Sequence, residues 1–237
     1  GAYPFLGTYS EAVLAHLDDA AHYLVGRPLE ARSWEIVNDG SDSAFDIVAA
    51  VMDESWSTLN LIEHSLNYYD GDEFDGVDHI EDYGVLVRTM QLILTPGIIS
   101  DAYGSLPAYL SEDSPSSWPS EYPSDFRTFV TTPVRAGYVF DPFITSTNVF
   151  YVNTMRAKYD FHNSPTGARG LVLASKDPIG NVSSVEYDDY DLLPVLATDA
   201  LTMSVQAAYD YRLLQPYLIT DPNGNRSTVR FSPLGFV

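Results

Sequence analysis

The chain has 237 residues, 45% of them hydrophobic, with 33 acidic side chains against 12 basic ones and a formal charge of −21. Such an acidic surface repels phosphate backbones and anionic lipid heads, which sets nucleic acid and membrane surfaces aside as partners. Cysteine is absent, so disulfides, thiolate metal sites and a cysteine nucleophile are excluded, and no apolar run reaches the roughly 20 residues of a membrane-spanning helix.

The opening residues GAYPFLGTY carry no basic-then-apolar leader pattern. A targeting signal is therefore absent or already removed, and Gly1 reads as a cut end or a cloning remnant. Val13–Asp18 and Arg32–Val37 read as short strands on either side of a turn-like Gly26-Arg27-Pro28. Phe45–Met52 alternates weakly and is predicted as a strand. Leu59–Tyr69 fits both helical and strand spacing and is read as a strand. Asp82–Leu94 is predicted as a helix. A second helix is predicted from Thr95-Pro96 to Gly104, because Thr is a good N-cap and Pro suits the first helical position. Leu110–Pro123, rich in Ser, Pro and Glu, reads as an exposed loop, and Tyr138–Tyr159 resumes strand alternation.

The last third repeats itself. Asp177, Asp199 and Asp221 fall 22 residues apart, as do Pro194 and Pro216. Self-similarity at a fixed period marks a repeat architecture. Asp177-Pro178-Ile179-Gly180 and Asp221-Pro222-Asn223-Gly224 are tight-turn sequences, since Pro presets φ and Gly accepts φ above zero. The strands that follow alternate, with Ser183, Val185 and Tyr187 on one face, then Val205, Ala207 and Tyr209, then Ser227, Val229 and Phe231. Tyr187, Tyr209 and Phe231 are thus expected to face a core. Leu193–Thr198 and Gln215–Thr220 supply return strands. The expected fold is mainly β (α+β): an antiparallel curled sheet of hairpins with a helical insertion near 80–104. It forms one β-rich domain over 1–237, with a β segment 1–79, a helical and loop insertion 80–134, and a β segment 135–237 that carries the repeats 171–237.

Leu171–Val237 resembles Rhs/YD-repeat proteins, most closely the B component (SpvB/TcB-like) of insecticidal toxin complexes. His16-Leu17-Asp18-Asp19, Leu24–Arg32 and Leu94-Thr95-Pro96-Gly97 resemble landmarks of that group in the same order. The resemblance implies a wall of strands in a large hollow shell that encloses a cytotoxic polypeptide; eukaryotic relatives use such a shell for cell-surface recognition. Family members are far longer, and this chain lacks their gating propeller and self-cleaving plug. Three units cannot close a cavity.

Candidate sites are few. Asp70, Asp72 and Glu81 match positions one, three and twelve of a calcium loop, but Phe74 and Asp75 stand where that loop needs a ligand and a glycine; a solvated acidic loop is the simpler reading. Asp188, Asp189 and Asp191 follow a repeat strand and read as turn caps rather than as acid/base catalysts. His16, His22, His64, His79 and His162 lack zinc-site spacing. No nucleophile elbow or phosphate-cradling glycine loop occurs. Asn181 and Asn225 match the glycan acceptor pattern. Tyr68, Tyr69, Trp118 and Tyr122 are the aromatics that a sugar site would use beside carboxylates. The expectation is a non-enzymatic, cofactor-free, secreted or extracellular shell segment. It pairs with other segments, or with itself as a homodimer, through an open sheet edge. The alternative is a carbohydrate- or protein-binding module.

Overall fold

The computed structural model describes residues 3–53, 55, 59–107, 110, 137–140 and 149–237. Within them the chain forms one antiparallel sheet of twelve strands. β1 (Phe5–Asp18) and β2 (Tyr23–Asn38) make a long hairpin, followed by β3 (Leu59–Tyr69), β4 (Leu86–Leu94), β5 (Tyr138–Phe140) and β6 (Phe150–Tyr159). The repeats supply β7 (Val172–Lys176), β8 (Val182–Tyr187), β9 (Pro194–Thr198), β10 (Ser204–Asp210), β11 (Gln215–Thr220) and β12 (Arg226–Thr228). Spatial order follows chain order; only β5 lies off the path, paired with β6. Helices α1 (Ala44–Met52), α2 (Pro96–Tyr103) and α3 (Asp160–Asn163) fill connections.

The core sits where β4 and β6 pair. One cluster joins Val87 to Ala157, Tyr159 and Phe161, a second joins Leu94 to Ile99, Leu110 and Phe150, and a third joins Met90 to Val149 and Tyr151. β8 to β12 hold no fully buried side chain. Their order comes from backbone ladders and turns instead.

Four expectations need correction. Phe45–Met52 is helical, not extended. The Ser43 hydroxyl accepts the Asp46 N–H at 3.3 Å, and the Asp46 carboxylate accepts the Ser43 N–H at 3.1 Å; this reciprocal capping box starts α1. Asp82–Leu94 is not a helix: Leu86–Leu94 is a strand flanked on both sides, by β3 and by β6. The segment LVRTMQLIL mixes apolar residues with Arg88, Thr89 and Gln91 without strict alternation, so its spacing does not separate strand from helix, and pairing with β3 and β6 decides it. The helical insertion therefore shrinks to α2. There the Thr95 hydroxyl accepts the Ile98 N–H, Pro96 opens the helix and Gly104 closes it at φ +72. Gly26-Arg27-Pro28 is not the hairpin turn. It lies inside β2, where register shifts opposite Val13–Leu17 mark bulges and Gly26 takes φ +70; the turn itself has the Asp19 N–H donating to the His22 carbonyl. Leu110, placed in an exposed loop by the sequence, is 1% exposed; the rest of that stretch lies outside the described residues. The return strands and β6 fall where the sequence puts them.

Candidate functional site

The repeat turns are built around aspartates. The Asp177 carboxylate accepts the N–H groups of Ile179 at 3.0 Å and Asn181 at 2.8 Å, while the Asn181 amide donates to its other oxygen at 2.8 Å. Asp221 does the same with Asn223, at 2.9 Å, and Asn225, at 2.8 Å. Asp199 accepts from Leu201 and Met203, each at 2.9 Å. Gly180 and Gly224 complete the first and third turns at φ +99 and +80. The Asn225 amide, then the backbone donors, hold the Asp221 carboxyl below the usual range. At the opposite ends of the strands, the Leu192 N–H donates to Asp188 and lowers its pKa. The Arg212 guanidinium does the same for Asp210. These aspartates accept the N–H groups of their own turns.

Tyr187 and Tyr209 are half-buried, and their hydroxyls are fixed. Tyr187 donates to the Val172 carbonyl at 3.3 Å and Tyr209 to the Pro194 carbonyl at 2.9 Å. Two further units belong to this series. Tyr159-Asp160 and Tyr69-Asp70 each follow a bulge, like Tyr187-Asp188 and Tyr209-Asp210. Tyr159 donates to the Leu86 carbonyl at 2.9 Å and Tyr69 to the Pro28 carbonyl at 3.0 Å. Leu86 is the register partner of Tyr69, Val172 of Tyr159, and Pro194 of Tyr187. Tyr159, Tyr187 and Tyr209 thus each bond to the residue paired with the tyrosine before it, whereas Tyr69 bonds to Pro28, the partner of Leu14. One rung runs across the sheet from β2 to β10. The Tyr-Asp dipeptides at 69–70 and 159–160 were visible in the sequence; connections of unequal length hid the period. Phe231 occupies the next position without a hydroxyl.

The metal candidates are not brought together. Asp70 is 1% exposed. Its carboxylate accepts the N–H groups of Glu81 at 2.7 Å, Gly84 at 2.9 Å and Val85 at 2.9 Å. It closes the neck of a loop and is not free to ligate. Among the described residues no three His, Asp or Glu side chains group as a metal site. The sugar candidates are also otherwise engaged. Tyr69 is 3% exposed, and the Arg88 guanidinium lies 3.7 Å from the centroid of the Tyr68 ring. Trp118 and Tyr122 lie outside the described residues.

The structure offers other surfaces. A cleft of about 910 Å³ opens beside the Asp70 loop, lined among others by Asp19, His22, His79, Asp82 and Tyr83. Its carboxylates favour cations. Further along the same ends of the strands, Tyr190 and Tyr211 are exposed and meet edge-to-face at 5.7 Å. Tyr211 donates to Asp188 at 2.8 Å, and that bond pushes its pKa up to about 12. Inside the sheet His64 is buried between Tyr151, whose hydroxyl lies 2.6 Å from Nδ1, and Glu30, 2.7 Å from Nε2. This polar bridge ties β2 and β3 to β6 and is closed to solvent at Tyr151.

The chain is an open antiparallel meander crossed by one rung of tyrosines. The chain is similar in structure to the TcdB2-TccC3-Cdc42 complex, with a TM-score of 0.72 and 17% identity over 99% of this chain and 11% of that one. It is similar also to TcdB2-TccC3, at 0.71 and 16% identity, and to TcdB2-TccC3 without its hypervariable C-terminal region, at 0.69 and 17%. At these identities the likeness concerns the fold. The chain spans about a tenth of those chains' length. No family model and no curated protein matches it.

Proposed function

We propose that the chain is a non-catalytic wall segment of a toxin-complex-like shell, secreted or extracellular, of the kind that encloses a cytotoxic polypeptide. The observation that carries this reading is the open sheet: among the described residues β1 and β12 each have a partner on one side only. Unpaired edges are templates for further strands, and a wall that adds one hairpin per Tyr-Asp unit needs no core of its own, as β8 to β12 illustrate. The partners are therefore other strands of the wall, or a second copy of the chain joined edge to edge. Light scattering on the isolated chain tests this. Alternation in an antiparallel ladder turns the N–H of Thr228 outward, because the Val229 N–H donates to Tyr217 on β11. Thr228→Pro removes that outward donor and should lower association. A wild-type chain that stays a cooperative monomer at high concentration would count against the reading.

The exposed Tyr190–Tyr211 pair beside Asp189 supports a second reading, a carbohydrate-binding module, since ring faces and carboxylates together suit a sugar. A glycan array separates the two: binding that is lost in Tyr190→Ala favours the module, and no binding removes it.

A further inference from the structure

The loop between β3 and β4 is held in two different ways. Its neck is tied by neutral donors on a buried acceptor: the Asp70 carboxylate takes three backbone N–H groups, and Tyr69 and Val77 exchange backbone hydrogen bonds at 2.8 and 2.7 Å. Its tip, Glu73-Phe74-Asp75, is held by cations from other strands. Lys158 pairs with Glu73 at 2.5 Å, and Arg156 pairs with Asp75 at 3.1 Å. Arg156 Nε also donates to the Phe74 carbonyl at 3.1 Å, and Arg88 Nε donates to the Asp75 carbonyl at 2.8 Å. Lys176 lies 4.2 Å from the centroid of the Phe74 ring. Four of the chain's 12 Lys and Arg residues thus converge on three residues.

Phe74 itself is strained. It is 6% exposed, with φ +67, a left-handed conformation that bulky side chains avoid. Its N–H donates to the Ala157 carbonyl at 3.0 Å, which ties the tip to β6. Glu73 lines the 910 Å³ cleft, and Arg156, Ala157 and Lys176, which meet the tip, also line a second space of about 620 Å³. The carboxylates of both ion pairs are about half or more exposed, at 46% for Glu73 and 64% for Asp75. Solvent and salt therefore reach the clamp although they do not reach Asp70.

We propose that residues 71–76 form a strap whose tip opens while its neck stays closed, with the Glu73, Phe74 and Asp75 clamp as the releasable element. Opening relieves the Phe74 backbone and bares Arg156, Lys158 and Lys176. Closure neutralises that face and covers Ala157. The strap is a conformational device of this one loop and does not depend on the shell reading: it operates in a monomer and in an assembled wall alike.

Native-state hydrogen exchange read residue by residue tests it. The Phe74 amide reports the tip, the Val85 amide, bound to Asp70, reports the neck, and a β6 amide reports global opening. The Phe74 amide should exchange faster than the Val85 amide. Raising NaCl from 0.02 to 0.5 M, on the order of a fivefold shortening of the screening length, should speed Phe74 exchange several-fold and leave Val85 unchanged. Lys158→Gln should raise Phe74 exchange about fivefold, the upper range for a partly exposed ion pair. Arg212→Gln, which removes an exposed pair at Asp210, should not. Equal protection at Phe74, Val85 and β6, or a Phe74 rate indifferent to salt and to Lys158→Gln, overturns the strap.

Discussion

Replacing Asp70 by Asn and by Ala isolates what one buried carboxylate contributes. Asn keeps the size of the side chain and tolerates the φ of +43 found at this position. With the amide oxygen facing Glu81 and Gly84, both of those bonds survive, and the new NH2 group confronts the Val85 N–H. One charge-assisted bond is lost and one donor is left without an acceptor, a cost of about 2–3 kcal/mol. Ala leaves all three N–H groups unpaired, at about 4–5 kcal/mol. In a chain of this size each kcal/mol moves Tm by roughly 2–4 °C. Asp70→Asn should therefore melt roughly 4–12 °C lower and Asp70→Ala roughly 8–20 °C lower, followed by circular dichroism at pH 7. An Ala variant melting within about 2 °C of the wild type, less than 1 kcal/mol on that scale, would refute the assignment of Asp70 as the closure of the neck.

The tyrosine rung makes a paired prediction. Tyr209→Phe removes the bond to Pro194 and should cost about 0.5–1 kcal/mol in urea unfolding, whereas Phe231→Tyr should be neutral or stabilising by a similar amount, because the repeat sets a hydroxyl there toward the Pro216 carbonyl; destabilisation by both changes contradicts a continuous rung. Titrated at 295 nm, Tyr211 should ionise at about 12, in a late phase that also holds Tyr69 and Tyr159, raised by burial, and Tyr211→Phe should remove one tyrosine's amplitude from it. Asp188→Asn should bring the Tyr211 pKa down, because Asp188 raises it. The depressed carboxyls of Asp188, Asp210 and Asp221 give stability that is present above their unfolded pKa near 4 and lost as pH falls through their folded values. Urea midpoints should fall below pH 4, and less steeply in Asp221→Asn; an unchanged slope in that variant speaks against its turn role.

The turns were legible because they are local. Asp-Pro-x-Gly presets its own backbone, and a period of 22 residues repeats the same short-range bonds at Asp177, Asp199 and Asp221, so hairpin geometry and return strands followed from residue types. The same holds at Thr95-Pro96, where cap and helix are neighbours. The capping box at Ser43 and Asp46 is equally local, but the weak alternation of Phe45–Met52 masks it. Leu86–Leu94 is different in kind. Its irregular spacing of apolar residues suits a helix as well as a strand, and only the long-range pairing with β3 and β6 decides for a strand. The Tyr-Asp units at 69 and 159 needed the fold as well: their bonds run to Pro28 and Leu86, 41 and 73 residues away. Asp70 shows the limit for sites. Its residue type and spacing suggested a ligand, but loop closure brought Glu81, Gly84 and Val85 onto its oxygens. The sequence by itself determined the turns and the return strands of the last third, because those depend on neighbours. The tertiary structure decided the central strand, the rung and the clamp on Phe74, because those depend on which distant residues meet.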